Sequence, residues 1–162
     1  MTVVQRRIAW VDDDAPGRFL NEEDTIIEWG GIVIWGTTIA KGVEILSTQP
    51  VDALILDQMM PWSETDRDPW AGCILLRWLR GAPPPPAAPM HTLLPQFDPW
   101  KLGRSPLLEN VRIPALIASA FHNAGIEEAT RAASSLDREF RLCAKPLELS
   151  HIRRLWERCG RE

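Results

Sequence analysis

The sequence lacks the features that mark membrane proteins, secreted proteins and nucleic-acid-binding proteins. No apolar run approaches the roughly 18 residues that a membrane span needs, and the first seven residues lack the apolar core of a signal peptide. Lysine and arginine form no basic run, and the formal net charge is −4. We therefore expect a soluble, cytoplasmic protein that neither inserts into a membrane nor binds nucleic acid.

Cysteine is scarce and tyrosine is absent. Cys73, Cys143 and Cys159 are widely spaced and form no CxxC pair, which favours reduced structural thiols over a disulfide framework or a zinc site. What the chain does contain suits a packed core, because 45% of its 162 residues are apolar and 25% are charged. We predict one domain that spans residues 1–162.

Short apolar strands alternate with helical patterns along most of the chain. The predicted strands are residues 6–11, 32–35, 53–57, 113–120 and 140–144. Five helices are predicted. The first begins at Pro16 and stops at Gly30, the second spans residues 38–48, and the third runs through residues 74–79 and stops at Gly81. The fourth and fifth span residues 123–134 and 148–159. Because parallel strands need helical crossovers, the pattern predicts an α/β fold, a doubly wound five-stranded parallel sheet with helices on both faces.

Two insertions interrupt this alternation. Residues 62–70 form a polar loop between two tryptophans, and Pro61 before it is expected to stop the backbone from pairing further. Residues 82–112 include a run of prolines from Pro83 and join a helix back to a strand, so we expect their ends at the edge of the sheet where strands begin.

Polar residues follow the predicted strands at their carboxyl ends. They are Asp12, Asp13, Asp57, Ser119 and Lys145. The carboxyl ends of parallel strands meet at one edge of a sheet, which is where such folds bind ligands. Carboxylates suit Mg²⁺, whereas a hydroxyl and an ammonium group suit phosphoryl oxygens, so these residues predict a site for a metal ion and a phosphoryl group. Asp14 is expected to cap the following helix instead of binding metal.

In these motifs the chain resembles the receiver domain of two-component response regulators. Trp10-Val-Asp12-Asp13 is similar to the acidic pair that holds Mg²⁺, and Leu56-Asp57-Gln-Met-Met-Pro61 is similar to the phosphoacceptor motif. Ser119-Ala120 matches the switch hydroxyl, and Lys145-Pro146 matches the lysine of the family. The resemblance implies a flavodoxin-like strand order of 2-1-3-4-5.

The resemblance also implies a chemistry, in which Asp57 takes a phosphoryl group from a partner histidine kinase or phosphotransfer protein. Lys145 would pair with one phosphoryl oxygen, and Ser119 would donate to another. The implied ligands of Mg²⁺ are Asp13, Asp57, the backbone carbonyl of Met59 and, through water, Asp12. The chain would catalyse its own phosphorylation and dephosphorylation. Without a separate output domain, it would signal through contacts with an effector protein that the sequence does not identify.

Three positions depart from the family pattern. Leu142 stands where the family usually has tyrosine or phenylalanine, three residues before the lysine. Met59 and Phe121 occupy the two positions that influence hydrolysis, and both are apolar. We therefore expect slow loss of phosphate, because apolar side chains can obstruct a water molecule without orienting it.

Two other functions remain open from the sequence. The first is a pseudo-receiver, a protein-interaction module that is not phosphorylated; Leu142 favours it and the intact acidic set argues against it. The second is a phosphohydrolase of the haloacid dehalogenase type, because Asp12-x-Asp14 resembles its nucleophile motif. Pro16 departs from that motif, and no acidic pair follows Lys145.

Overall fold

Strands and helices alternate through the parts of the chain that the structure, a computed structural model, describes: residues 4–15, 17–61, 67–68, 71–83, 103–119, 140–145 and 147–159. The strands are β1 (Arg6–Val11), β2 (Gly31–Gly36), β3 (Ala53–Asp57), β4 (Met60–Pro61), β5 (Arg67–Asp68), β6 (Ala115–Ser119) and β7 (Phe140–Ala144). The helices are α1 (Leu20–Glu28), α2 (Ile39–Thr48), α3 (Ala71–Leu79) and α4 (Leu149–Arg158), with a short 3-10 helix at Leu108–Asn110. The helix predicted over residues 123–134 lies outside the described residues.

The main sheet has five parallel strands in the order β2-β1-β3-β6-β7. Counted along the chain without the two short strands, this is the predicted order 2-1-3-4-5. The central strand, β3, is buried along its whole length, as expected for an apolar strand that is covered on both faces. The predicted α/β fold and sheet are therefore confirmed, and β3 brings Asp57 to the carboxyl edge.

Two separate cores cover the two faces of the sheet. Along β1, Ala9 and Val11 belong to the core that α2 and α3 complete. Ile8 and Trp10 belong to the other core, which contains residues of α1 and α4. Successive side chains of a strand point to opposite faces, so a single strand supplies both cores. The predicted placement of helices on both faces is confirmed.

Tryptophans in the described ranges pack in the two cores. Trp10 and Trp78 are buried, and Trp35 and Trp156 are partly buried against the second core. All three cysteines lie within the described ranges, and none of them forms a disulfide. None of the helices in these ranges combines the length and the apolar character that a membrane span needs.

The ends of the helices follow their local sequence, with one exception. Gly30 and Gly81 follow α1 and α3 in the left-handed region, with φ of 87° and 75°, which glycine adopts without steric cost. Thr38 caps α2, where its hydroxyl accepts a hydrogen bond from the Lys41 backbone N–H at 3.1 Å. The exception is α1, which begins at Leu20 and not at Pro16.

The late start of α1 has a tertiary cause. The ring of Phe19, the residue before the helix, lies 4.7 Å from the Trp10 ring and 6.2 Å from the Trp35 ring, centroid to centroid. Phe19 is held in a non-helical conformation, and no side chain caps the helix. The predicted capping role of Asp14 is therefore wrong: its carboxylate lies 3.6 Å from Arg18 as an exposed ion pair.

A second prediction, that Pro61 stops the backbone from pairing further, is also wrong. Met60–Pro61 pairs in antiparallel fashion with Arg67–Asp68, so Pro61 does not end the pairing of the backbone. Proline removes only the N–H of its own residue and leaves its carbonyl able to accept a hydrogen bond. Residues 62–66 and 69–70, with both flanking tryptophans, lie outside the described residues. The loop therefore contains a small hairpin that starts three residues after Asp57.

The second insertion includes residues 84–102, which lie outside the described residues, and described residues on either side of them bind consecutive residues of α3. Arg77 donates from Nε to the Pro83 carbonyl at 2.8 Å, and Trp78 donates from Nε1 to the Arg104 carbonyl at 3.0 Å. Further on, the Leu107 N–H donates to the Leu46 carbonyl near the end of α2 at 2.9 Å. Pro83 and Arg104 are thus held at neighbouring positions of α3, near the end of that helix.

This arrangement predicts that residues 84–102 can be replaced by a short glycine-serine linker without loss of the fold. The entropy of closing a loop depends only weakly on its length, and both ends are already held by α3. We expect the midpoint of thermal unfolding to change by no more than a few degrees, as measured by circular dichroism. Loss of cooperative unfolding in the shortened protein would contradict the prediction.

Candidate functional site

Two neighbouring strands deliver carboxylates to the same edge of the sheet. Asp57 is the last residue of β3, and Asp12 directly follows β1, where its N–H donates to the Gly36 carbonyl at 2.9 Å. Both are buried, with exposed fractions of 7% and 1%. The Asp12 carboxylate also accepts from the Asp14 N–H at 2.9 Å. These backbone contacts fix the two side chains at the point where parallel strands end.

Lys145 reaches both carboxylates from the other end of the sequence. It follows β7, and its N–H donates to the Ser119 carbonyl at 3.0 Å. Its Nζ lies 3.1 Å from Oδ2 of Asp12 and 3.2 Å from Oδ2 of Asp57. The structure therefore brings together three residues that the sequence assigned to one site from three separate strands.

Burial sets the protonation behaviour of the cluster. Burial, and then the negative charge of Asp12, raise the pKa of Asp57 to about 6, although Lys145 acts in the opposite direction. Burial also raises the pKa of Asp12. For Lys145, burial disfavours the ammonium form, but attraction to Asp57 and Asp12 outweighs it and raises the pKa of the amine. Lys145 thus stays charged at neutral pH beside the two buried carboxyl groups.

The carboxylates fit a divalent cation. Asp12, Asp13 and Asp57 each offer one oxygen, and these oxygens lie within 4.8 Å of one another. Hard oxygen donors suit Mg²⁺, and one lysine does not neutralise three carboxylates. The pKa of Asp57 is raised first by burial and then by repulsion from the negative charge of Asp12. A cation of charge two would relieve this repulsion.

Two other predicted site residues lie on β6 and just after β3. Ser119 is the last residue of β6, where it is buried and pairs with Ala144. Met59 is partly buried and follows Asp57 by two residues. The predicted roles of the Ser119 hydroxyl and the Met59 carbonyl stay predictions. Phe121 lies outside the described residues, as does the side chain of Leu142.

One contact at the site was missed from the sequence. Gly72, the second residue of α3, donates from its N–H to the Gln58 carbonyl at 3.0 Å. The sequence carries no signal for it, because Gly72 precedes the helix predicted through residues 74–79. Sequence separation hides the contact, because the hairpin of the first insertion lies between the two residues.

The fold matches many solved structures of receiver domains. The signal receiver domain of a signal transduction histidine kinase from Syntrophus aciditrophicus aligns with a TM-score of 0.62 at 20% identity, over 97% of this chain and 94% of that one. The receiver domain of a sensor histidine kinase from Pseudomonas aeruginosa PAO1, with a magnesium ion coordinated in its active-site cleft, gives 0.60 at 19% identity, over 96% and 97%. A CheY-like response regulator receiver domain protein from Methanospirillum hungatei JF-1 gives 0.56 at 18% identity, over 95% and 96%.

These similarities show that the chain has the receiver-domain fold of two-component signalling, as its motifs predict. No family model matches the sequence, and no curated protein matches it.

Proposed function

We propose that the protein is a phosphoacceptor receiver domain that takes a phosphoryl group onto Asp57 and passes the signal on through protein contacts. One observation carries the proposal: the buried Asp57 carboxylate lies beside a second buried carboxylate and 3.2 Å from the Nζ of Lys145, at the carboxyl edge of a receiver-type sheet. A pair of acids with a lysine at a strand end is suited to phosphoryl transfer, which depends on positioning and charge neutralisation.

In the proposed reaction a carboxylate oxygen of Asp57 attacks the phosphorus atom of a phosphohistidine on a partner kinase or phosphotransfer protein. The new P–O bond forms as the P–N bond breaks, and the histidine nitrogen keeps the electron pair. Lys145 compensates charge on a phosphoryl oxygen, and the hydroxyl of Ser119 donates to another.

Magnesium fits this reaction. The residues that would hold it are Asp13, Asp57, the Met59 carbonyl and, through water, Asp12. When bound, it supplies charge neutralisation between the acceptor and the phosphoryl group. The aspartates themselves fix where the cation and the phosphoryl group meet, because their backbone is held by the sheet.

The proposed partners are a histidine kinase or phosphotransfer protein and an effector protein of unknown identity. Receiver domains of histidine kinases are among the similar structures, which supports such a donor. We further propose that residues 1–162 act as one domain in the cytoplasm, with the insertions at 62–70 and 82–112 as its added features. We propose neither binding to nucleic acid nor insertion into a membrane.

Labelling tests the proposal directly. The protein is incubated with Mg²⁺ and a small phosphodonor such as acetyl phosphate, and the site of the label is mapped by mass spectrometry after reduction with borohydride. We expect Mg²⁺-dependent label on Asp57 and beryllofluoride binding at the same site. Label on Asp12 would support the phosphohydrolase, and no label with either reagent would support the pseudo-receiver.

We also predict slow loss of the phosphoryl group. Met59 is apolar and lies two residues past the acceptor, so its side chain can obstruct a water molecule without orienting it. The decay of labelled protein after removal of the donor measures the rate, and the Met59→Asn variant, which offers a polar group at this position, should lose its label faster. An aspartyl phosphate that is short-lived in the wild type would contradict the prediction.

A further inference from the structure

The backbone that follows Asp57 is held from two sides. The Gln58 N–H donates to the Ala118 carbonyl of β6 at 3.1 Å, and the Gln58 carbonyl accepts from the Gly72 N–H of α3 at 3.0 Å. Asp57 itself pairs with Ala118 in the register of the sheet. The backbone of Gln58, the residue next to the acceptor, therefore lies between a strand of the sheet and the first turn of a helix.

Only glycine permits this approach at residue 72. A Cβ atom added to Gly72 would lie 2.5 Å from the Asp57 carbonyl oxygen and 2.8 Å from the Gln58 Cα. Both are backbone atoms at the end of the central buried strand, so they cannot move away as a flexible side chain could. At an ordinary helical position alanine is the better helix former, so the close approach, and not helix stability, accounts for glycine here.

We propose that Gly72 is a positioning residue for the acceptor: the first turn of α3 sets the place of the Asp57 backbone and thereby of its carboxylate. A displacement of this backbone would alter the site, because the Asp57 carboxylate lies 3.2 Å from the Lys145 Nζ and near the oxygens of Asp12 and Asp13. This inference rests on the proposed function for its effect on phosphorylation, whereas its effect on Mg²⁺ binding stands separately.

The test is the Gly72→Ala variant. A displaced carboxylate should weaken Mg²⁺ binding, measured by calorimetry, by about tenfold or more, which is the range for residues that orient metal ligands. The rate of labelling from acetyl phosphate should fall by about 100-fold, since phosphoryl transfer is sensitive to misplacement on the order of 1 Å.

The Gly31→Ala variant is a matched control. Its Cβ would lie 2.7 Å from the Trp156 ring and 2.8 Å from the Ile26 side chain, so it is similarly crowded. Gly31 pairs with Arg6, the first residue of β1, at the edge opposite Asp12. We expect Gly31→Ala to lower the midpoint of thermal unfolding and to keep the Mg²⁺ affinity of the wild type. Equal Mg²⁺ affinity in Gly72→Ala and wild type, or an equal loss in both variants, would overturn the proposal.

A measurement on the wild type covers the case in which Gly72→Ala does not fold. Amide hydrogen exchange at Gly72 should slow when Mg²⁺ binds, because its N–H donates to the residue next to the acceptor, whereas exchange at Gly31 should not change. Unchanged exchange at Gly72 would refute the coupling. If the wild type takes no label but amide exchange at Gly72 slows when Mg²⁺ binds, the proposed phosphorylation is wrong and the positioning role of Gly72 is still supported.

Discussion

An Asp57→Asn variant is expected to lose all phosphoryl label and yet to be more stable than the wild type at neutral pH without divalent cations. The label is lost because asparagine offers no carboxylate nucleophile. The gain in stability follows from the pKa of Asp57, which burial and Asp12 raise to about 6. Folding therefore buries an anion that water would stabilise better, and the substitution removes this penalty while Lys145 keeps its ion pair with Asp12.

The size and pH dependence of the effect follow from proton linkage. The pKa in the folded protein lies above the unfolded value of 3.8, so the folded state binds the proton more tightly and the wild type loses stability as pH rises from about 4 to above 6. A tenfold difference in proton affinity between the folded and unfolded states corresponds to about 1.4 kcal/mol, so we expect Asp57→Asn to gain roughly 3 kcal/mol above this range and almost nothing below it. Urea unfolding in the presence of a chelator, repeated across this range of pH, measures the difference.

Asp52→Asn is the matched control, because Asp52 precedes the same strand at its opposite end. Its carboxylate accepts a hydrogen bond from the Arg7 N–H at 2.7 Å, so the anion is stabilised by a backbone donor. We expect this variant to keep its label and to gain no stability. If Asp57→Asn were less stable than the wild type throughout the range, the buried carboxylate would not carry the proposed penalty. Excess Mg²⁺ should reduce the difference, since the proposed Mg²⁺ site would be complete only in the folded wild type.

Asn110→Ala is expected to destabilise the protein by about 3 kcal/mol or more. The Asn110 side chain is fully buried, and its Oδ1 accepts from the Val51 N–H at 2.9 Å. Its Nδ2 donates to the Leu46 carbonyl at 3.0 Å and to the Gln49 carbonyl at 2.9 Å. Alanine would leave the Val51 N–H and the Gln49 carbonyl without this partner, while the Leu46 carbonyl keeps its bond from the Leu107 N–H. Each unsatisfied buried group costs about 1–3 kcal/mol. Chemical denaturation measures the loss in free energy of unfolding.

Asn21→Ala provides the comparison, because Asn21 is exposed on α1. Its free energy of unfolding should stay within about 0.5 kcal/mol of the wild type. A similarly small effect of Asn110→Ala would mean that residues 103–112 are not needed for the stability of the domain. The expected loss in the free energy of unfolding would instead show that residues 103–112 belong to the fold, although the sequence predicts that they are part of an insertion.

The mistaken predictions show where sequence patterns are insufficient. A proline at residue 16 predicted the start of α1, but the helix begins at Leu20 because the Phe19 ring packs against Trp10 and Trp35. Pro61 predicted an end to pairing, yet it pairs with Arg67. In each case a contact between distant residues outweighed a local preference, which periodicity and turn signals do not encode.

The sequence by itself determined the fold class, the strand order by resemblance, and the identity of the acidic residues with Lys145. These follow from local properties: apolar runs end in polar residues, and parallel strands must end at a common edge. The tertiary structure decided how close the groups come, because burial and the 3.2 Å contact between Asp57 and Lys145 depend on packing across the whole chain. It also decided the contacts of Gly72 and Asn110, since each residue lies against backbone groups that are distant in sequence.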